Sequence, residues 1–125
     1  MASFDGLRFR HWQVEPRADG VLVLSFDRAD AAVNTFSQDV LLELGAILER
    51  IALEPPKGLV VRSAKAAFAA GADLKSLQEL DRRGQVGDFI QLGQQVFQRI
   101  AELPCPTVAA IHGFCMGGGT EISLA

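Results

Sequence analysis

At 125 residues, with 49% hydrophobic and 22% charged content, the chain has the size of one ordinary domain and enough apolar material for a core, which excludes a disordered segment. A net charge of −3, with no basic stripe interleaved with aromatics, leaves no footprint for nucleic acid, although a few placed cations could still meet an anionic ligand. No apolar run approaches the ~18 residues needed to cross a membrane and no secretory pattern opens the chain, while the two cysteines, Cys105 and Cys115, lack metal-ligand spacing, so a reducing, cytoplasmic setting is expected.

Phe9 to Val14 and Val21 to Phe26 read as two strands, and Pro16–Gly20 between them ends in an Asp-Gly turn signal, so a β-hairpin is predicted. A loop from Asp27 to Thr35 follows. Ser37 caps a predicted helix to about Leu53, in which Val40, Leu41, Leu44, Ile47, Leu48 and Ile51 define one apolar face. Pro55 and Pro56 break it, and Gly58–Ser63 is the third strand. Ala64 to Ala72 is a loop of small residues, and Asp73 caps a short helix from Leu74 to about Leu80. After a polar break at residues 82–87, a helix from Asp88 to Glu102 is expected to bury Phe89, Ile90, Gly93, Val96, Phe97 and Ile100. Pro104 and Pro106 end it. Thr107–Ile111 reads as a buried final strand, followed by a turn rich in glycine and the start of a helix carrying Glu121. The order ββα-β-α-α-β-α indicates an α/β domain with crossover helices. The chain stops at Ile122–Ala125 inside a growing helix with no cap, so it is expected to be the front part, residues 1–125, of a longer domain.

Two loops carry candidate chemistry. In Phe68–Asp73 the small side chains let a ligand approach the backbone, and a helix start at Asp73 aims free N–H groups outward; a tight connection with a capping aspartate explains the same residues. In Gly117–Glu121, glycines precede an acid in a first helical turn. This is neither a Walker A loop nor a dinucleotide fingerprint nor a nucleophile elbow, and Glu121 could serve only the helix dipole. His112 reads as a turn residue and Cys115 as a small buried hydrophobe. Arg28, Lys65 and Lys75 read as solvated cations near loops open to an anion, and His11 and Trp12 carry no visible chemistry.

Taken together, Ala67–Lys75 (AFAAGADLK) followed by Pro106–Glu121 (PTVAAIHGFCMGGGTE) resembles the enoyl-CoA hydratase/isomerase (crotonase) superfamily, over nearly the whole chain. The stretch Ala32–Thr35 (AVNT) is most similar to the hydratase part of multifunctional fatty-acid oxidation enzymes. The resemblance implies the N-terminal part of a crotonase-like spiral of ββα units. It implies an oxyanion hole from the backbone N–H groups of Ala72 and Gly118, with Glu121 as the first of two glutamates that activate water and return a proton. Coenzyme A, a part of the substrate rather than a cofactor, would be met by Ala70, Gly71, Ala72, Asp73, Leu74 and Lys75, with Arg28 and Gly117 nearby; no metal is implied. Lys65 is one position out of register with the family. The expected activity is reversible addition of water to 2-enoyl-CoA thioesters. Isomerisation or other CoA-enolate chemistry is the enzymatic alternative, and an acyl-CoA-binding module without turnover is the other. A trimer or hexamer, or membership of a multifunctional complex, is the expected assembly, with no nucleic acid and no membrane as partner.

Overall fold

The computed structural model describes residues 3–125. Its elements are β1 (Trp12–Pro16), β2 (Val21–Phe26), α1 (Gln38–Leu53), β3 (Gly58–Ser63), α2 (Leu74–Arg82), α3 (Val86–Ala101), β4 (Thr107–Ala110) and α4 (Gly118–Leu124). The strands form one sheet in the order β1-β2-β3-β4, antiparallel between β1 and β2 and parallel thereafter. The hairpin turn closes with Gly20 at φ +88°, a conformation that glycine adopts freely, and the Asp19 carboxylate accepts from the Val21 amide at 3.0 Å.

Alternation along the parallel strands sends Leu22, Leu24, Phe26, Leu59 and Val61 to one buried face. They share a core with the apolar stripe of α1, all six residues of which are buried, and with Val96, Phe97 and Ile100 of α3. Ser37 caps α1 through its hydroxyl, 3.4 Å from the Val40 amide. Asp73 caps α2, accepting from the Ser76 amide at 3.3 Å and its hydroxyl at 2.5 Å.

Several elements differ from the sequence reading. Strand β1 starts at Trp12 rather than Phe9, and the Glu43 carboxylate on α1 holds its entry, accepting from the backbone of Arg10, His11 and Trp12 at 3.1, 2.8 and 2.9 Å. Helix α3 takes in Val86 and Gly87, since the preceding turn is complete by Gln85, whose amide returns to the Leu80 carbonyl at 2.8 Å. The final strand is not buried throughout. It lies at the sheet edge, Val108 is 57% exposed, and Ile111 falls outside the strand.

His11 and Trp12 are structural anchors, which the sequence did not reveal. Trp12 stacks on Phe26 with ring centroids 4.2 Å apart and donates its indole N–H to the Val40 carbonyl at 3.1 Å. Buried His11 accepts at Nδ1 from the Ala29 amide at 3.1 Å and donates from Nε2 to Asp39 at 2.8 Å. Partial burial pushes the Asp39 carboxyl up, but hydrogen bonds from Ser37 and His11 outweigh it and bring the pKa to about 2.

Candidate active site

Parallel strands β2, β3 and β4 each release the chain at the same edge of the sheet, and the three segments that follow stay in strand order. Phe36, after β2, pairs with Ala72, after β3; Ala69, after β3, pairs with Cys115, after β4. The carboxyl ends of parallel strands are where open α/β sheets collect their ligand sites, because the connecting loops meet there.

The middle segment is held from both sides. On one side the Ala70 amide donates to the Asn34 carbonyl at 2.9 Å, the Phe36 amide to Gly71 at 3.1 Å, and the Asp73 amide to Phe36 at 2.8 Å. On the other, the Phe68 amide donates to Phe114 at 3.2 Å and the Met116 amide to Ala69 at 3.1 Å. Beyond the bridge between Ala69 and Cys115 the two segments stay close at Gly71, where a Cβ would lie 3.7 Å from the Gly117 Cα and 3.8 Å from the Gly118 nitrogen. From the other side, a Cβ on Gly117 would sit 3.0 Å from the Gly71 Cα, and Gly117 has φ +51°. Glycine is therefore required at 117 for space and for conformation.

In a parallel pair, the residue bracketed by two bonds turns its own N–H away from the partner. Phe36 brackets Ala72 in this way. Among the described residues, no acceptor takes the N–H of Ala72 or of Gly118, the first residue of α4. Gly118 is also pressed against the Phe36 ring, where a Cβ would lie 2.8 Å from Cδ2.

Gly71, Ala72, Gly117, Gly118 and Glu121 line one cavity of about 290 Å³, whose apolar wall comes from Phe36, Leu41 and α3. Unsatisfied N–H groups beside an apolar wall favour an acceptor that carries developing negative charge. Glu121 is exposed, in the first turn of α4. Ile90 lines the cavity and is 52% exposed, and Gly93 lines it half-buried, so neither enters the core as the helical periodicity suggested.

The other candidates are not among the residues that line this cavity. Ala70 is half-buried in the middle segment, and Leu74 and Lys75 are exposed on α2. Two cations expected to be solvated are tied down. The Arg28 guanidinium reaches Asp73 at 3.3 Å and the Thr35 hydroxyl, with its side chain only 19% exposed. Hydrogen bonds from Ser76, then Arg28, hold the Asp73 carboxyl below its ordinary pKa. Lys65 donates to Asp27 at 2.9 Å and to the Ala31 carbonyl at 2.7 Å. His112 is a turn residue bonded to the Lys65 carbonyl at 2.7 Å, and Cys115 is half-buried, its sulfur 3.5 Å from the Ser123 hydroxyl.

Asn34 is a fixing point that local sequence reasoning passed over. Fully buried, its side-chain amide donates to the Phe26 carbonyl at 2.9 Å, the Ser63 hydroxyl at 3.0 Å and the Phe68 carbonyl at 3.1 Å. Its oxygen accepts from the Arg28 amide at 2.9 Å. One side chain thereby ties together the ends of β2 and β3 and the segment carrying Ala72. The only signal in the sequence was its place in Ala32–Thr35.

Comparison with known proteins identifies the family of the chain. The enoyl-CoA hydratase/isomerase family model matches residues 16–125. The chain is 35% identical over 114 residues to the fatty acid oxidation complex subunit alpha of Idiomarina loihiensis, and 40% identical over 111 residues to that of Shewanella frigidimarina. These alignments take in 90% and 87% of this chain but 16% of each relative. The crystal structure of an enoyl-CoA hydratase from Bacillus anthracis superposes with a TM-score of 0.83 at 32% identity, over 91% of this chain and 44% of that one. An enoyl-CoA hydratase from Geobacillus kaustophilus superposes with a TM-score of 0.84 at 25% identity, over 94% of this chain and 44% of that one. The chain therefore belongs to the enoyl-CoA hydratase/isomerase family, and its fold is the crotonase fold.

Proposed function

We propose that this chain carries the oxyanion hole and one acid/base group of an enoyl-CoA hydratase. The observation that supports this reading best is that Ala72 and Gly118, neither with an acceptor for its backbone N–H among the described residues, line one cavity with Glu121.

The chemistry follows from where charge develops. Water adds its oxygen to C3 of the enoyl group, the C2=C3 electron pair moves toward C1, and the thioester oxygen takes on negative charge. Two N–H donors fixed by the backbone stabilise that oxygen without reorganising, and loss of one such donor costs ~2.7–4 kcal/mol. Glu121 takes a proton from the water as its oxygen bonds to C3, and return of that proton to C2 completes the addition with Glu121 ionised again. The bound thioester supplies its own coenzyme A, for which Ala70, Gly71, Asp73, Leu74, Lys75 and Arg28 form the proposed surroundings. By similarity to relatives named as subunits of a fatty acid oxidation complex, the chain is proposed to act in such a complex. No helix among the described residues is long and apolar enough to cross a membrane.

Glu121→Gln tests the reading in a hydration assay with crotonyl-CoA. The substitution keeps size and removes the base, so kcat is expected to fall by roughly 10²–10⁴ with little change in thioester binding. Turnover near that of the unaltered protein would remove Glu121 from the mechanism. Product formed from a 3-enoyl-CoA but not from crotonyl-CoA would move the assignment to isomerisation.

A further inference from the structure

The apolar wall of the cavity is one face of α3. Phe89, Ile90, Gly93, Gln94 and Phe97 recur at the three- and four-residue spacing that gathers side chains on one side of a helix. Gly93 stands about one turn from Phe89 and one turn from Phe97. Along the row of Phe89, Gly93 and Phe97 the two phenyl rings therefore have no side chain between them, with Ile90 and Gln94 beside that row.

Packing does not demand this glycine. Gly93 is absent from the positive-φ positions, and a Cβ there would meet only Leu41 Cδ1, at 3.7 Å, an ordinary contact. Inside a 16-residue helix a glycine is less stable than an alanine, and no neighbour in the fold offsets that loss. What the missing side chain does is keep the apolar side of the cavity open, alongside Leu41 and Phe36.

We propose that Gly93 is a specificity-determining residue: the gap it leaves between Phe89 and Phe97 receives the distal methylenes of a longer acyl chain. The inference rests on the enoyl-CoA reading above. With the thioester oxygen at the amides of Ala72 and Gly118, the alkyl tail leaves the polar rim for the apolar wall, and position 93 sets how much of it fits. A methylene gained or lost in an apolar pocket changes discrimination by roughly 10–200-fold.

The test compares the protein with its Gly93→Ala and Gly93→Leu variants on crotonyl-CoA and trans-2-decenoyl-CoA. The ratio of kcat/KM for the long over the short substrate is expected to fall at least about tenfold in Gly93→Leu, with Gly93→Ala between the two. An unchanged ratio overturns the proposal. So does an equal loss on both substrates, which would put the pantetheine arm rather than the acyl chain in the gap. If Gly93→Leu does not fold, Gly93→Ala, whose methyl group has room, decides by the same ratio. If the unaltered protein hydrates neither thioester, the hydratase reading fails, and the ratio of Kd for decanoyl-CoA and butyryl-CoA decides the role of Gly93: a shift against the longer chain in the variants supports it, and no shift overturns it.

Discussion

Phe36 brackets Ala72. Its amide donates to the carbonyl just before Ala72 at 3.1 Å, and its carbonyl accepts from the amide just after at 2.8 Å, so the Ala72 N–H is left facing the other way. The same residue lays its ring against Gly118. That ring ends an aromatic series from Trp12 through Phe26, with centroids 4.2 and 5.1 Å apart, and meets Phe97 edge-on at 5.4 Å. The two amides proposed to share a thioester oxygen are thus oriented by a residue rooted in the core.

The contact between Gly71 and Gly117 should be intolerant of a methyl group. Gly117→Ala places a Cβ 3.0 Å from the Gly71 Cα at a φ of +51°, so the loops must separate. The contact and the strained φ together displace the loop that carries the amide, and a misplacement of about 1 Å lowers turnover by roughly 10²-fold. Gly87→Ala, whose Cβ would meet nothing within 4 Å, is the matching control on α3 and should leave turnover within about twofold. Crotonyl-CoA hydration by the two variants reads the difference, and equal rates would mean that the loop contact does not position the amides.

Asn34→Asp should be strongly destabilising although it is nearly isosteric. A carboxylate cannot donate to the Phe26 and Phe68 carbonyls, and ionised it would be buried against them. A loss of about 3 kcal/mol or more is expected from urea unfolding at neutral pH. A midpoint unchanged from the parent protein would show that Asn34 is not what ties these segments.

Acid should weaken the clasp between α1 and the N-terminal segment. Against partial burial, hydrogen bonds from Ser37 and His11 hold the Asp39 carboxyl at about 2, below the ordinary range of an aspartate, so its contribution is present above that range and is lost as pH falls toward about 2. Its side chain is 59% exposed, so solvent screening makes the effect modest. Asp39→Asn is therefore expected to flatten the fall in stability across that window, as followed by thermal unfolding at stepped pH. A variant with the same acid limb as the parent would assign that limb to other carboxylates.

What the sequence revealed, and what it hid, divides along local and non-local lines. The hairpin turn, the caps at Ser37 and Asp73, the α1 stripe and the two loops are written in residues a few positions apart, where glycine conformation, capping and periodicity act. The clasp of Glu43 on the amides of residues 10–12 joins groups more than thirty positions apart and has no periodic signature. Arg28 and Lys65 appeared free for the same reason, since Asp73 and Asp27 reach them only in the folded chain. Periodicity also misplaced Ile90: it reports which face of α3 is apolar, and cannot tell a core from a cavity wall.

The most direct test is a crystal structure of the protein with a bound 2-enoyl-CoA or a non-reacting thioester analogue. The account predicts the thioester oxygen within ~2.7–3.1 Å of the backbone nitrogens of both Ala72 and Gly118. A thioester oxygen held by only one of them, or by neither, would contradict it.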